Sequence, residues 1–129
     1  MIPCAGIIVF DNDNTILVST SCGNHSFPKG KRNKGESYID TAWRELKEET
    51  GLTQEHVKIL DNIYIDEVSQ KGNPSVRYFI GQLITPIEIF TFDKEELQNV
   101  RWVNINDAYK IEKFNQRRKE ILRKAYDEL

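Results

Sequence analysis

Three glutamates, Glu45, Glu48 and Glu49, fall close together in the segment GKRNKGESYIDTAWRELKEETGL, residues 30–52. At roughly 100° of rotation per residue a helix would gather them on one arc. That arc is separate from the apolar stripe of Ile39, Ala42, Trp43 and Leu46. Like charges at this spacing repel, so the arrangement costs helix stability unless something positive joins it. A solvated acidic face is the ordinary explanation for such a cluster. The loop just upstream, FPKGKRNKGE, changes the balance. Gly30 and Gly35 carry no Cβ and let backbone approach an anion or a metal, while Lys29 and Lys31 can neutralise phosphates. Clustered carboxylates are hard oxygen ligands suited to Mg²⁺ or Mn²⁺. Carboxylates, a divalent ion and lysines together describe phosphoryl-ester chemistry.

The helix that must carry the glutamates is predicted over residues 37–50. Ser37, with Asp40 three residues on, reads as its cap, and Gly51 as its left-handed stop with Leu52 folding back on the last turn. CAGIIVF and TILVSTS read as a hairpin closed by DNDN, and residues 22–35 as a loop. VKILDNIYIDEV and SVRYFIGQLIT read as two further strands, NVRWVNI as a short one, and NDAYKIEKF and NQRRKEILRKAYDEL as closing helices. Strands first, one helix between them and helices last predict an α/β fold, a mixed sheet covered by helices.

Composition bounds the functions open to this chain. Its 129 residues make one domain, 1–129, without repeats or linkers. The net charge of −2 argues against holding long nucleic acid by bulk electrostatics. Cys4 and Cys22 have no metal-ligand spacing and make no disulfide framework, so a reduced compartment is expected, cytoplasmic with the nucleus left open. MIPCAGIIVF lacks a basic start and a cleavage pattern and is too short to span a bilayer, so no membrane segment is expected.

Residues 30–52 are similar to the Nudix box, the signature of the Nudix hydrolases: Gly-x5-Glu-x7-Arg-Glu-apolar-x-Glu-Glu-x-Gly-apolar. Gly30, Glu36, Arg44, Glu45, Leu46, Glu48, Glu49, Gly51 and Leu52 fill every fixed position. The leading hairpin, the late RWVNINDA and a closing helix also stand where Nudix domains have them. The resemblance implies a Nudix-type α/β/α sandwich with a mixed, partly antiparallel sheet. It implies that Glu45, Glu48, Glu49 and the Gly30 carbonyl hold Mg²⁺ or Mn²⁺, with Glu45 orienting or deprotonating the attacking water. Arg44 would orient the glutamates, and Glu36 would anchor the loop. The implied reaction is hydrolysis of a diphosphate linkage. A further carboxylate, matched by its distance from Trp102, would be Glu96, with Glu95 and Asp93 as neighbours and a water-facing loop as the competing reading. FPKGKRNKGE resembles the loop of mRNA-decapping members and, through PKG, that of diadenosine tetraphosphate hydrolases. A dinucleoside polyphosphate is therefore the first expectation for substrate. Capped RNA, diphosphoinositol phosphates and oxidised nucleoside triphosphates stay open, as does a nucleotide-sensing domain without catalysis. All three metal-binding glutamates are present, which favours catalysis.

Aromatic residues supply candidates for binding a base. Phe27 sits beside the phosphate loop, and of the consecutive Tyr78 and Phe79, which must face opposite ways in a strand, Tyr78 is preferred and Phe79 left to the core. Core packing is the competing reading for both candidates. Tyr64 and Trp43 are assigned to packing. His25 stays open between turn residue, substrate contact and neither. The last helix mixes Ile121, Leu122 and Ala125 with Arg117, Arg118, Lys119, Arg123 and Lys124, which reads first as an amphipathic cover and second as a basic surface for RNA. A small nucleotide or polyphosphate is the expected partner, with oligomeric state open.

Overall fold

A computed structural model describes residues 1–129. The elements run β1 (Cys4–Asp11), β2 (Asn14–Ser19), β3 (His25–Ser26), β4 (Lys29–Lys31), α1 (Tyr38–Thr50), β5 (Val57–Val68), β6 (Pro74–Leu83), β7 (Asn99–Asn104), α2 (Ile105–Ala108) and α3 (Gln116–Asp127). The seven strands form one mixed sheet in the order β3-β2-β1-β6-β5, with β4 paired to β1 and β7 to β2. β1 and β6 run parallel from Cys4↔Val76 to Phe10↔Gln82, while the other pairs are antiparallel. No helix is long and apolar enough to cross a membrane, and both cysteines are free.

β1 explains the layering. A strand buried on both faces must be apolar at nearly every position, not at every second one, and Ala5 to Phe10 are all buried. Alternate residues feed two cores. Ile8 and Phe10 join Leu17, Phe27, Tyr78, Ile80, Phe114, Leu122 and Ala125 under α3. Ala5, Ile7 and Val9 join Ile16, Val18, Ala42, Leu46, Leu52 and Val57 under α1. Helices therefore cover both faces, the α/β/α sandwich expected from the sequence.

The hairpin partners separate after the turn. β2 pairs with β1 only at Phe10↔Thr15 and Asp11↔Asn14, and β4 takes its place at the other end through Cys4↔Lys31, Ala5↔Gly30 and Gly6↔Lys29. Two stretches of the expected loop are thus short strands. Their lengths of 2 and 3 residues leave no periodicity to read. The helix expected over 106–114 shrinks to α2, capped by the Asn104 side chain. Residues beyond it turn instead, so that Phe114 enters the core and Asn115 caps α3 through the Arg118 amide.

Candidate active site

α1 brings the acidic arc to the sheet because its ends and its buried face are each fixed. Ser37 Oγ accepts the Asp40 amide at 3.1 Å. Gly51 stops the helix at φ 86°, its amide on the Lys47 carbonyl. Thr41, Ala42, Leu46 and Thr50 are buried against the sheet, which leaves Glu45 and Glu49 facing β4. The Lys29 amide donates to Glu49 Oε1 at 3.1 Å. Gly30 lies so close to Glu45 that a Cβ there would meet the carboxylate and displace it.

Arg44 organises the remainder. Its Nε and Nη2 donate to the two Glu36 oxygens at 2.7 and 3.0 Å. Nη2 also meets the Lys31 carbonyl at 2.9 Å. Nη1 reaches Glu45 at 2.9 Å and Glu48 at 3.3 Å. Glu36 further accepts the Asn33 amide and the Thr41 hydroxyl. The Arg44 hydrogen bonds, with the Asn33 amide next, hold the Glu36 carboxyl down to about 2. Arg44 thus touches Glu36, Glu45, Glu48 and the Lys31 carbonyl, and Glu36 ties the loop amide of Asn33 to α1.

The two glutamates facing β4 are perturbed the opposite way. Burial, with the Glu45 and Glu96 charges adding to it, pushes the Glu49 carboxyl up to about 8. The Lys29 amide opposes that shift by favouring the ionised form. Glu45 is also raised, by burial first and then by Glu48 and Glu96, with Arg44 opposing. Its side chain is 13% exposed against 57% for Glu48, so Glu48 stands at the open rim.

Glu96 sits in the β6–β7 connection, and its charge reaches both Glu45 and Glu49. Asp93 instead caps its own turn, accepting the Glu95 amide at 2.9 Å. The Gln98 amide pins this connection to the Ser19 carbonyl at 2.8 Å. The structure therefore joins the Lys29 amide, Gly30, the Lys31 carbonyl, Arg44, Glu45, Glu48 and Glu49 by direct contact, with the charge of Glu96 felt at Glu45 and Glu49. No three of these carboxylates stand at metal-ligand spacing to one another, and Arg44 Nη1 bonds both Glu45 and Glu48. The donor chemistry nonetheless fits a hard divalent cation: several carboxylates, two held at a sheltered wall against their own repulsion, beside a glycine backbone.

Two expected substrate residues lie elsewhere. Phe27 and Tyr78 are both fully buried, packed edge-to-face with ring centres 5.1 Å apart. A ring without accessible surface has no face to offer a base, so both belong to the core under α3. Of the three aromatics left to packing, Trp43 and Phe79 are only partly buried and Tyr64 is half exposed, its ring centre 6.4 Å from that of Phe79. Strand parity was read correctly for Tyr78 and Phe79; which face is the better covered depends on α3, distant in sequence. A hollow of about 680 Å³ near Asp13, Gln82 and Tyr126 lies at the opposite end of β1 from this site.

Sequence reasoning also missed two side-chain assemblies. Arg77 pairs with Asp66 through two bonds at 2.9 and 3.0 Å and stacks on Tyr64 and Tyr38. Buried Glu67 joins Tyr78 and Arg118. The available signal was the charge at Asp66, Glu67 and Arg77 within strands.

The sequence matches the family description "NUDIX domain" over residues 2–125. The asymmetrical bis(5'-nucleosyl)-tetraphosphatase of Rattus norvegicus is 27% identical over 125 residues, covering 86% of this chain and 84% of that one. The RNA pyrophosphohydrolase of Psychromonas ingrahamii is 43% identical over 60 residues, 45% of this chain but only 33% of that relative's length. The crystal structure of a C. elegans Ap4A hydrolase binary complex superposes with a TM-score of 0.80 at 26% identity, covering 94% of this chain and 93% of that one. The complete box, the layered fold and the match along almost the whole sequence have one reading: the chain belongs to the NUDIX hydrolase family.

Proposed function

We propose that this hydrolase splits a diphosphate linkage in a dinucleoside polyphosphate, using Mg²⁺ or Mn²⁺ held by Glu45, Glu48, Glu49 and the Gly30 carbonyl. The observation that carries the reading is the placement of Glu45 and Glu49 against β4, where Gly30 lies against one carboxylate and the Lys29 amide holds the other. When bound, a divalent ion supplies positive charge to the phosphate oxygens and lowers the pKa of a water molecule. Glu45, sheltered and backed by Gly30, orients that water and takes its proton. Arg44 keeps Glu45 and Glu48 in place through Nη1 while Glu36 fixes the guanidinium from behind. Lys29 and Lys31 offset charge on neighbouring phosphates, and Glu96 adds a carboxylate from the β6–β7 connection.

Similarity to the rat tetraphosphatase and the C. elegans Ap4A hydrolase along most of the chain supports the dinucleoside substrate. A second reading, a 5'-phosphorylated or capped RNA end, draws on the 43% identity with the RNA pyrophosphohydrolase. The test is turnover with Mg²⁺ of diadenosine polyphosphates, 5'-triphosphate RNA, capped RNA, diphosphoinositol phosphates and 8-oxo-dGTP. Hydrolysis in ¹⁸O water locates the attacked phosphorus. Fastest turnover of a diadenosine polyphosphate is the expected result. Nucleotide binding without turnover of any substrate would overturn catalysis in favour of a sensing domain.

A further inference from the structure

Glu67, near the end of β5, is a carboxylate 7% exposed beneath α3. One of its oxygens, Oε1, accepts the Tyr78 hydroxyl and Arg118 Nε, each at 3.1 Å. Stability alone does not call for this arrangement, because well-packed apolar residues often serve a buried position as well as an ion pair does. The second bond of Arg118 suggests what else the pair accomplishes. Its Nη1 donates to the His25 carbonyl at 3.2 Å, and the His25 amide donates to the Lys113 carbonyl at 2.7 Å. β3 is therefore held on both sides of its first residue by the segment that enters α3.

From His25 the chain has no slack before it reaches the glutamates. Phe27 is locked edge-to-face between Tyr78 and Phe114, with ring centres 5.1 and 5.5 Å away. The Pro28 carbonyl accepts the Ile7 amide at 3.2 Å. The Lys29 amide then meets Glu49, and Gly30 backs Glu45. β4 is paired with β1 from Cys4 to Gly6 and held at its far end by Arg44 on the Lys31 carbonyl and by the Arg32 amide on the Pro3 carbonyl. The residues before it therefore supply the anchor of its leading end.

We propose that Arg118 is a positioning residue for the hydrolytic centre: seated on Glu67 and tied to the His25 carbonyl, it fixes the β3–β4 segment that presents the Lys29 amide to Glu49 and Gly30 to Glu45. This rests on the reading of Glu45 and Glu49 as the metal-holding pair. Arg118 touches neither substrate nor metal in this scheme, and acts through the backbone between residues 25 and 30.

Arg118→Met combined with Glu67→Gln removes both charges together and leaves an acceptor for Tyr78, so the core keeps its volume without an orphaned ion. Arg117→Met is the matched control. It removes a neighbouring cation and the tie from α3 to the Val68 carbonyl but nothing attached to β3. Three quantities are measured: exchange protection of the Lys29 amide by NMR, Mn²⁺ affinity by calorimetry, and kcat and KM with diadenosine tetraphosphate. The double variant is expected to lose Lys29 protection, to bind Mn²⁺ about tenfold more weakly and to lose about 10–100-fold in kcat with a smaller change in KM, as outer groups that orient ligands typically do. The Arg117 variant should match the parent protein in all three.

If the double variant does not fold, Arg118→Lys answers the same question. A lysine can neutralise Glu67 but lacks the fork that also reaches His25, so it should keep thermal stability while losing Lys29 protection and kcat. Parent-like Lys29 protection and Mn²⁺ affinity in a folded Arg118 variant would overturn the proposal. Failure of the functional reading would show separately, as an unmutated protein that neither binds Mn²⁺ nor hydrolyses the substrate.

Discussion

Between Glu36 and Arg44, two parallel bonds of 2.7 and 3.0 Å make a planar, forked contact that no single-point cation reproduces. Its pH consequence has a definite sign. Glu36 titrates near 4.5 when free and is held to about 2 in the fold, by the Arg44 hydrogen bonds first. A depressed carboxylate adds stability that is fully present above about 4.5 and lost as pH falls toward 2. Thermal melts of Glu36→Gln should therefore be less stable than the parent at neutral pH, with the gap closing between pH 4.5 and 2. A gap independent of pH would show that the anchor is not electrostatic. Arg44→Lys keeps the charge but not the fork, so kcat should fall about 10–100-fold with little change in net charge. Glu49→Gln should lose at least as much turnover and, unlike Arg44→Lys, should also abolish the calorimetric signal of Mn²⁺ binding.

α1 was legible in the sequence because its boundaries are chemical. Ser37, read from its spacing to Asp40, caps the helix through one oxygen, and Gly51 adopts φ 86° with its open side against Thr91. Gly51→Ala adds a Cβ where the backbone is left-handed and Thr91 already stands, so it should destabilise by more than about 1 kcal/mol, read from denaturant midpoints. Leu46, fully buried in the core under α1, should cost about 2–5 kcal/mol on Leu46→Ala. β5, Val57–Val68, was equally readable, its long β-branched run bounded by turn residues. β3 and β4 were not, because a strand of 2 or 3 residues exists only through its partner, and Cys4–Gly6 lie far away in sequence. The misassigned aromatics have the same origin. Phe27 borders the phosphate loop in sequence, but its burial is decided by Phe114 and Tyr78, which nothing local reveals. The acidic arc, by contrast, is written in consecutive turns of one helix, and its partner Gly30 within the same motif. Glu96 lay between these cases: its spacing from Trp102 was visible, its approach to Glu45 and Glu49 was not.

For the molecule as a whole, the site is a place where folding works against electrostatics. The sheet and α1 together shelter Glu45 and Glu49 from water while Glu48 and Glu96 add negative charge nearby, and Arg44 and Lys29, the latter through both its amide and its charge, compensate. A divalent cation that binds the folded chain and not the unfolded one must then stabilise the fold by mass action. The gain at one hundred times the dissociation constant is about 2.7 kcal/mol. For a domain of this size that corresponds to a rise in Tm of several degrees. Titrating Mg²⁺ or Mn²⁺ into metal-free protein should raise Tm progressively with the logarithm of concentration, and EDTA should reverse it. Glu45→Gln/Glu49→Gln replaces the two carboxyls whose ionised form burial disfavours, so the metal-free variant should melt at or above the parent's metal-free Tm and should no longer respond to added metal. A double variant that still gains as many degrees as the parent would place the ion elsewhere on the chain, and the hydrolytic role assigned to the acidic arc of α1 would fall with it.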